Sequence, residues 1–274
     1  MVKRTGTFAG TLRYVIAFTV LAIMLAPFIW MVRVSLLPGG SIAAGAFTSL
    51  TATFDNYRSL FQQMNMSRYL FNSFLVGAIV TLGNVLFCFM VAYTLARHRS
   101  ISNRLLFVSV IAVLMIPAHV TIIPLYLMCV KAGMYDTYWA LILPFLVNPI
   151  GIFLVKQYIE GIPPSMEEAA RVDGASELTV LFKVVMPVCR PALAVLAIQV
   201  FFTNWNSFLL PYILTQSDRV RTLPVGLAMF QGHQAIDWQH LMAGSTLAVL
   251  PVLALFAILQ RRIVSGITAG AIKQ

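Results

Sequence analysis

Apolar residues in this chain fall in long unbroken runs, without the short alternation of a half-buried strand or an amphipathic surface helix. About 20 consecutive apolar residues are enough to cross the hydrocarbon of a bilayer as a helix. By that measure six runs qualify, at about 12–33, 69–96, 105–129, 137–158, 188–215 and 241–260. The pattern predicts an all-α membrane protein with six transmembrane helices, organised as a single transmembrane domain over residues 1–274. Pro117 and Pro124 interrupt the third run, and Pro144 and Pro149 the fourth. Proline removes a backbone donor, so these positions predict broken or kinked helices, either around a cavity or as plain structural bends. The segment Phe54–Phe61, FDNYRSLF, reads as a short surface helix between the first two spans.

One polar stretch stands out between spans four and five: Ser165–Pro187, SMEEAARVDGASELTVLFKVVMP. It holds Glu167, Glu168, Asp173 and Glu177, with Glu160 just upstream, so that five of the nine acidic residues gather here. Pro163 and Pro164 stop the preceding span, Ser165 is placed to cap a helix, and Glu168 completes a Ser-x-x-Glu capping box. Gly174 supplies a left-handed residue to end that helix. Ser176 is placed to cap a second one, with Leu178, Leu181, Phe182 and Val185 on one face. The expected helix–glycine–helix hairpin is either a solvated acidic face or a docking element. Ala169 and Ala170 would form a narrow ridge that fits a partner's groove, and Glu167 and Glu168 would meet its arginines.

Composition agrees with the spans. Of the 274 residues 59% are hydrophobic and 10% charged, against roughly 25% charged in soluble domains. The mean hydropathy is +0.86. The net charge of +10 sorts by side once the N-terminus is placed inside. Thirteen basic residues then fall on cytoplasmic segments and six outside, which predicts cytoplasmic termini and a cytoplasmic Ser165–Pro187 hairpin. The run Tyr14–Val32 is too long for a signal-peptide core, so no cleavable signal is expected. Cys88, Cys129 and Cys189 lie in or beside apolar stretches without metal-type spacing and read as packing residues.

Candidate chemistry is sparse. No Gly-x-x-x-x-Gly-Lys-Ser/Thr loop exists, so the chain lacks a P-loop for ATP. No activated nucleophile or other catalytic constellation is visible, and no internal repeat or midplane charge supports an ion-coupled transporter. His233, Asp237 and His240 are near enough in sequence to hold a metal, but a solvated loop with two ordinary histidines is the stronger reading, and no metal is expected. Uncharged polar residues within the spans, Asn84, His119, Thr121, Asn148, Asn204 and Asn206, serve either as hydrogen-bonded glue between helices or as the lining of a pathway.

The spacing Glu168-Ala169-Ala170, three residues, Gly174, nine residues, Val184, one residue, Met186-Pro187 resembles the EAA loop of binding-protein-dependent ABC importer permeases. Val184 and Met186 stand where that pattern has Ile and Leu. Trp205-Asn206-x-Phe208-Leu209-Leu210-Pro211 and the ending Gln260–Lys273 resemble the sugar-importer branch, and the whole chain is similar to the smaller maltose-type permease subunit.

The resemblance implies a type I ABC importer permease fold with a cytoplasmic coupling helix in the segment 160–187 and a cytoplasmic tail over 261–274 that also reaches the ATPase pair. It assigns ATPase coupling to Glu167, Glu168, Ala169, Ala170, Asp173, Gly174 and Pro187. Asn148, Asn204, Trp205 and Asn206 become candidates for the translocation pathway. Implied partners are a homologous second permease subunit, two ATP-binding subunits that carry the ATP and Mg, an extracytoplasmic solute-binding protein meeting the loop Gln216–His240, and lipid, with no cofactor on this chain and no nucleic acid. The expected setting is a bacterial cytoplasmic membrane. The expected activity is import of a carbohydrate-type solute (oligosaccharide, amino sugar or glycerol-phosphate-like) without enzymatic chemistry. An ion-coupled secondary transporter or a membrane-embedded enzyme is the alternative, to be told apart by whether a separate ATPase copurifies.

Overall fold

The structure, a computed structural model, describes residues 7–38, 51–230 and 237–271. All regular structure among them is helical. The chain divides into two compact units, one from Met1–Met66 with Leu227–Leu250, the other from Ser67–Gly226 with Pro251–Gln274.

In the first unit α1 (Thr7–Ser35) keeps Pro27 inside an unbroken helix, and α2 (Asp55–Gln63) is the short helix expected over Phe54–Phe61. Asn56 of α2 is buried and donates from Nδ2 to the carbonyls of Ser35 and Leu37, both at 2.8 Å. It thereby satisfies carbonyls that the end of α1 leaves open. Tyr57 adds a 2.6 Å hydroxyl contact to Ser35. Near the start of α13 (Trp238–Ala271), Asp237 pairs with Nδ1 of His240 at 2.6 Å, while Nε2 of the same ring meets Ser59. His240 is thus held by a carboxylate and a hydroxyl, and His233 lies outside the described residues. Among the described residues no three His, Cys, Asp or Glu converge as metal ligands.

The second unit is built on α3 (Met66–Arg97), whose Val80, Cys88, Phe89 and Ala92 are fully buried. Against it pack α7 (Pro149–Glu160) through Val155 and Ile159, and α10 (Arg190–Trp205) through Leu196 and Val200. Gly151 leaves room for α7 to pack close to α3 and α10, since a Cβ there would stand 2.7 Å from Leu196 and 3.2 Å from Cys88. All three cysteines are free and buried, as packing residues are.

The prolines act unequally. Between α4 (Ile101–Leu114) and the 3₁₀ turn Ala118–Thr121 that opens α5 (Ile122–Lys131), the axis bends by 97° at Pro117. Pro124 falls in the first turn of α5, where its missing N–H costs nothing, and it breaks nothing. Pro144 sits in the 3₁₀ turn Leu143–Phe145 that follows α6 (Tyr138–Ile142), and Pro149 opens α7. The fifth run also starts and ends differently from the expected 188–215. The helical piece Glu177–Val188 meets α10 at 78°, and α10 ends at Trp205, before the separate α11 (Leu209–Leu214) and α12 (Leu223–Phe230).

Among the described residues, and by length and composition only, the helical stretches Thr11–Ser35, Met66–Arg97 and Tyr138–Glu160 are long and apolar enough to cross a membrane. The last is α6 and α7 with the 3₁₀ turn between them, and up to five segments qualify if each bent pair counts as one. The sixth expected run, 241–260, lies within α13, which continues as helix through most of the tail to Ala271.

Candidate functional site

The hairpin that follows α7 is preorganised from below. Helix α8 (Ser165–Val172) begins one residue earlier than the capping pattern predicts. Pro164 is its N-cap and accepts from the N–H groups of Glu167 and Glu168, so Ser165 sits inside the first turn and makes no side-chain cap. The Ser-x-x-Glu box therefore does not form, and the Glu168 side chain is left free of it. The C-terminal prediction holds. Gly174 adopts φ +84°, its N–H bonds to the Arg171 carbonyl at 3.0 Å, and Ala175 reaches the Ala170 carbonyl at 2.9 Å. Those two bonds are a Schellman motif.

Ser176 caps the following helix α9 (Glu177–Val188), accepting from the Thr179 N–H. The middle of α9, Val180–Val185, is π-helical, and its wider turn rotates the apolar set. Val180, Leu181 and Val185 are buried while Leu178 is exposed, so the expected face Leu178–Leu181–Phe182–Val185 is corrected at its first member.

Glu167 decides how the hairpin is held. The residue is 2% exposed, its side chain turned inward from the surface of α8. Arg97 Nε, at the end of α3, donates to Oε1 at 2.6 Å, and the Tyr93 hydroxyl donates to Oε2 at 3.0 Å. Arg171 stands 3.6 Å from Oε2. Arg97 also donates from Nη2 to the Ile162 carbonyl at 2.9 Å, so one guanidinium fixes both ends of the α7–α8 turn. Arg171 closes the hairpin from the other side with paired bonds to Glu177, at 2.8 and 3.1 Å, and a 3.2 Å bond to Tyr93. The hydrogen bonds to Glu177 hold the Arg171 guanidinium's pKa above its ordinary value, against a smaller opposing effect of desolvation.

The outward face carries different residues. Glu168 and Ala169 are exposed, Ala170 packs against the chain's own core, and Val172 is 88% exposed, while Met166 and Leu178 are exposed elsewhere on the hairpin. Asp173 and Gly174 are exposed, and Pro187 lies half-buried in the last turn of α9. Of the two alanines, Ala169 alone reaches the outer ridge, and the apolar contribution of Val172 and Leu178 was not legible from spacing. Tyr93, Arg97 and Arg171 were missed as well. Arg97 and Glu167 are 70 residues apart, and no local pattern links them.

The four pathway candidates separate. Trp205 is 3% exposed and stacks on Phe201, with centroids 5.7 Å apart, as a core residue. Asn148 caps α7 by accepting from the Ile150 N–H at 2.9 Å. Asn206 is exposed and donates to the Phe202 carbonyl at the end of α10. Asn204 borders a cavity of about 110 Å³, with Ser73, Thr203, Ser207 and Thr222 as its other polar lining. The buried Thr222 hydroxyl has no hydrogen-bond partner there. Ser73 supports the same corner by accepting from the Leu223 N–H at 2.7 Å. Asn84 and Asn72 are glue in the expected sense. Asn84 reaches the Phe145 carbonyl at 2.7 Å, and Asn72 the carbonyls of Arg219 and Arg221. In the adjoining loop Asp136 (φ +58°) accepts from the N–H groups of Gln216 and Ser217 at 2.8 and 2.9 Å.

These features define a polytopic helical membrane protein with a rigid, partly apolar hairpin between spans and no catalytic cluster among its described residues. Residues 84–269 match the family described as "binding-protein-dependent transport system inner membrane component", and the chain belongs to that family. Its relatives bear the names of transport permeases. It is 33% identical over 222 residues to the arabinooligosaccharides transport system permease protein of Bacillus subtilis, covering 81% of this chain and 79% of that one. It is 32% identical over 256 residues to the trehalose/maltose transport system permease protein of Thermococcus litoralis, covering 92% of each. The lactose transport system permease protein of Rhizobium radiobacter is 31% identical over 247 residues, 90% of each chain. The fold matches that of a chain in the crystal structure of a bacterial ABC transporter involved in the import of the acidic polysaccharide alginate, with a TM-score of 0.84 and 21% identity over 95% of this chain and 98% of that one. The chain is a transport permease and not an enzyme.

Proposed function

We propose that this chain is the membrane-spanning permease subunit of an ATP-driven importer for a carbohydrate-type solute, coupling ATP hydrolysis on partner subunits to translocation. The observation that carries the reading is the outer face of α8: Glu168, Ala169 and Val172 stand exposed on a helix fixed from beneath by the Glu167–Arg97 pair and ended by Gly174. Val172, Met166 and Leu178 are apolar surface in a polar segment, the kind of patch that a protein partner covers. The free Glu168 carboxylate is placed to accept from a partner's arginine or backbone N–H. Glu167 then serves the coupling from inside, as a brace, while Asp173 and Pro187 shape the hairpin.

In this mechanism two ATP-binding subunits, which hold the ATP and Mg, close on ATP binding and displace α8. The displacement passes to α3 through Arg97 and to α10 through α9, so that the spans alternate between inward- and outward-facing. A lever that bent would dissipate the stroke, which gives the Schellman end and the two arginines a purpose. Asn204, with Ser73 and Thr222, lines the passage, and Trp205, Asn148 and Asn206 support the helices around it. A second permease subunit and an extracytoplasmic binding protein complete the assembly in a bacterial cytoplasmic membrane, with both termini cytoplasmic. The carbohydrate class rests on the names of the relatives, which are permeases for arabinooligosaccharides, trehalose/maltose and lactose.

The test is copurification of an ATP-binding chain in detergent, followed by solute uptake in vesicles for the wild type, Glu168→Ala and Gly174→Leu. Both variants are expected to insert normally and lose uptake. Undiminished uptake in both refutes coupling through α8, and the absence of any bound ATPase refutes the importer.

A further inference from the structure

The turn that joins α3 to α4 builds a second site, from residues other than those assigned to coupling or to the passage. A cavity of about 390 Å³ opens there, lined by His98, Arg99, Ser100, Asn103, Arg104 and Lys156, with Leu95, Ile101 and Phe107 as its apolar wall. No carboxylate lines it. Arg99 and Arg104 are exposed, and neither forms an ion pair among the described residues. Lys156, 8% exposed, is held in the wall with its Nζ 4.3 Å over the Phe107 ring and 2.6 Å from Glu160, while Glu177 lies within electrostatic reach of His98.

The turn is also rigid. Ser100 caps α4 by accepting from the Asn103 N–H at 3.1 Å, and the Asn103 side chain donates to the His98 carbonyl at 2.8 Å. The positive end of α4 therefore points into the same space as the two free guanidinium groups. Below it Ile101, Leu105 and Val108, spaced along one face of α4, are 81%, 62% and 57% exposed.

We infer that this cavity binds the phosphate headgroup of an anionic phospholipid, with an acyl chain lying along Ile101, Leu105 and Val108. The turn lies between two apolar helices and so sits at the membrane–water boundary, where headgroups are. Basic pockets between membrane helices select anionic headgroups by charge. The apolar strip continuous with the cations is what separates a lipid from a free anion or a soluble partner: phosphate has no use for it, and a protein groove at this depth would have to displace bilayer.

The experiment titrates the purified full chain with phosphatidylglycerol or phosphatidylcholine and reads bound lipid by native mass spectrometry. Wild type is expected to retain phosphatidylglycerol over phosphatidylcholine. The double variant R99Q/R104Q is expected to weaken phosphatidylglycerol by about 30-fold, as removing two basic groups near an anionic surface would, and each single variant by about fivefold. R99K/R104K keeps both charges and is expected to retain the lipid. The single variants and the lysine pair serve if the double variant is not monodisperse.

Equal retention of phosphatidylglycerol in wild type and R99Q/R104Q overturns the inference, as does equal loss of both lipids. Displacement of phosphatidylglycerol by inorganic phosphate alone assigns the site to a free anion and overturns it too. If the variants keep the lipid but shed a copurifying ATP-binding chain, the surface belongs to that partner and the lipid assignment falls.

Discussion

Replacing Arg97 with Met separates the brace beneath α8 from everything that α8 presents outward. The methionine fills comparable apolar volume but removes the 2.6 Å bond to Glu167 and the 2.9 Å bond to the Ile162 carbonyl. Glu167 then keeps only Tyr93 at 3.0 Å and Arg171 at 3.6 Å as polar partners, with 3% of its side chain exposed. Breaking a buried ion pair from one side costs about 3–5 kcal/mol, because the surviving charge keeps its desolvation penalty. Arg171 and Tyr93 soften that loss, which places the expected cost near the lower end, about 3 kcal/mol.

The cost should fall locally, on the docking of α8 against α3, because both bonds that Arg97 loses run from the end of α3 to the α7–α8 segment. Hydrogen exchange of the backbone N–H groups of Glu167–Asp173 is the matching assay. A loss of about 3 kcal/mol lowers their protection by roughly two orders of magnitude, at 1.4 kcal/mol per tenfold, with α3 unchanged near Val80–Phe89. Adding Glu167→Gln to Arg97→Met removes the stranded charge and should recover much of the protection, giving a coupling energy of opposite sign to the single losses. Unchanged protection in Arg97→Met, or losses that simply add in the double variant, would refute the view that Arg97 and Glu167 act as one buried unit.

Two further changes probe the backbone devices. Gly174→Ala should destabilise by about 1–2 kcal/mol, since the left-handed conformation penalises a Cβ, and at φ +84° that Cβ meets no atom within 4 Å, so strain alone is at work. Gly174→Asn should lose less, and thermal unfolding in detergent ranks the three; equal midpoints would deny the strain. Asp136 offers a pH test. Burial raises its pKa, but the N–H groups of Ser217 and Gln216 outweigh that, and the folded value is lowered. Its ionic contribution is therefore full above the free-carboxylate value of about 4 and disappears as pH falls through the lowered folded value. The midpoint difference between wild type and Asp136→Asn should be positive at neutral pH and close towards zero in acid. A difference that ignores pH would leave Asp136 without an electrostatic role.

Much of the membrane architecture was legible because it rests on local hydropathy. The runs at 12–33 and 69–96 became the helical stretches Thr11–Ser35 and Met66–Arg97 nearly to the residue, and the run at 137–158 became Tyr138–Glu160, interrupted at its prolines as expected. Gly174 and Ser176 were legible too, since a left-handed end and an N-cap are properties of one residue and its immediate neighbours. Ser165 misled for a related reason. A capping box competes with the residue before it, and Pro164, with its φ already near helical, took the N-cap position. Leu178 misled because a helical face was assumed at one pitch, and the π-helical turn Val180–Val185 changes the pitch in mid-helix.

By itself, then, the sequence determined that the chain lives in a membrane as helices, and that one polar hairpin with EAA-loop spacing interrupts them. Both follow from composition and from short-range spacing. Tertiary structure alone decided which of two adjacent glutamates is free. Glu167 and Glu168 are the same residue type one position apart, and on a helix that step turns them about 100° from each other. Which of them meets Arg97 and Tyr93 depends on how α8 is rotated against α3, a contact between residues some seventy positions apart. The same packing set Trp205 into the core and left Asn204 beside the unpartnered Thr222 hydroxyl, a distinction that no pattern along the chain contains.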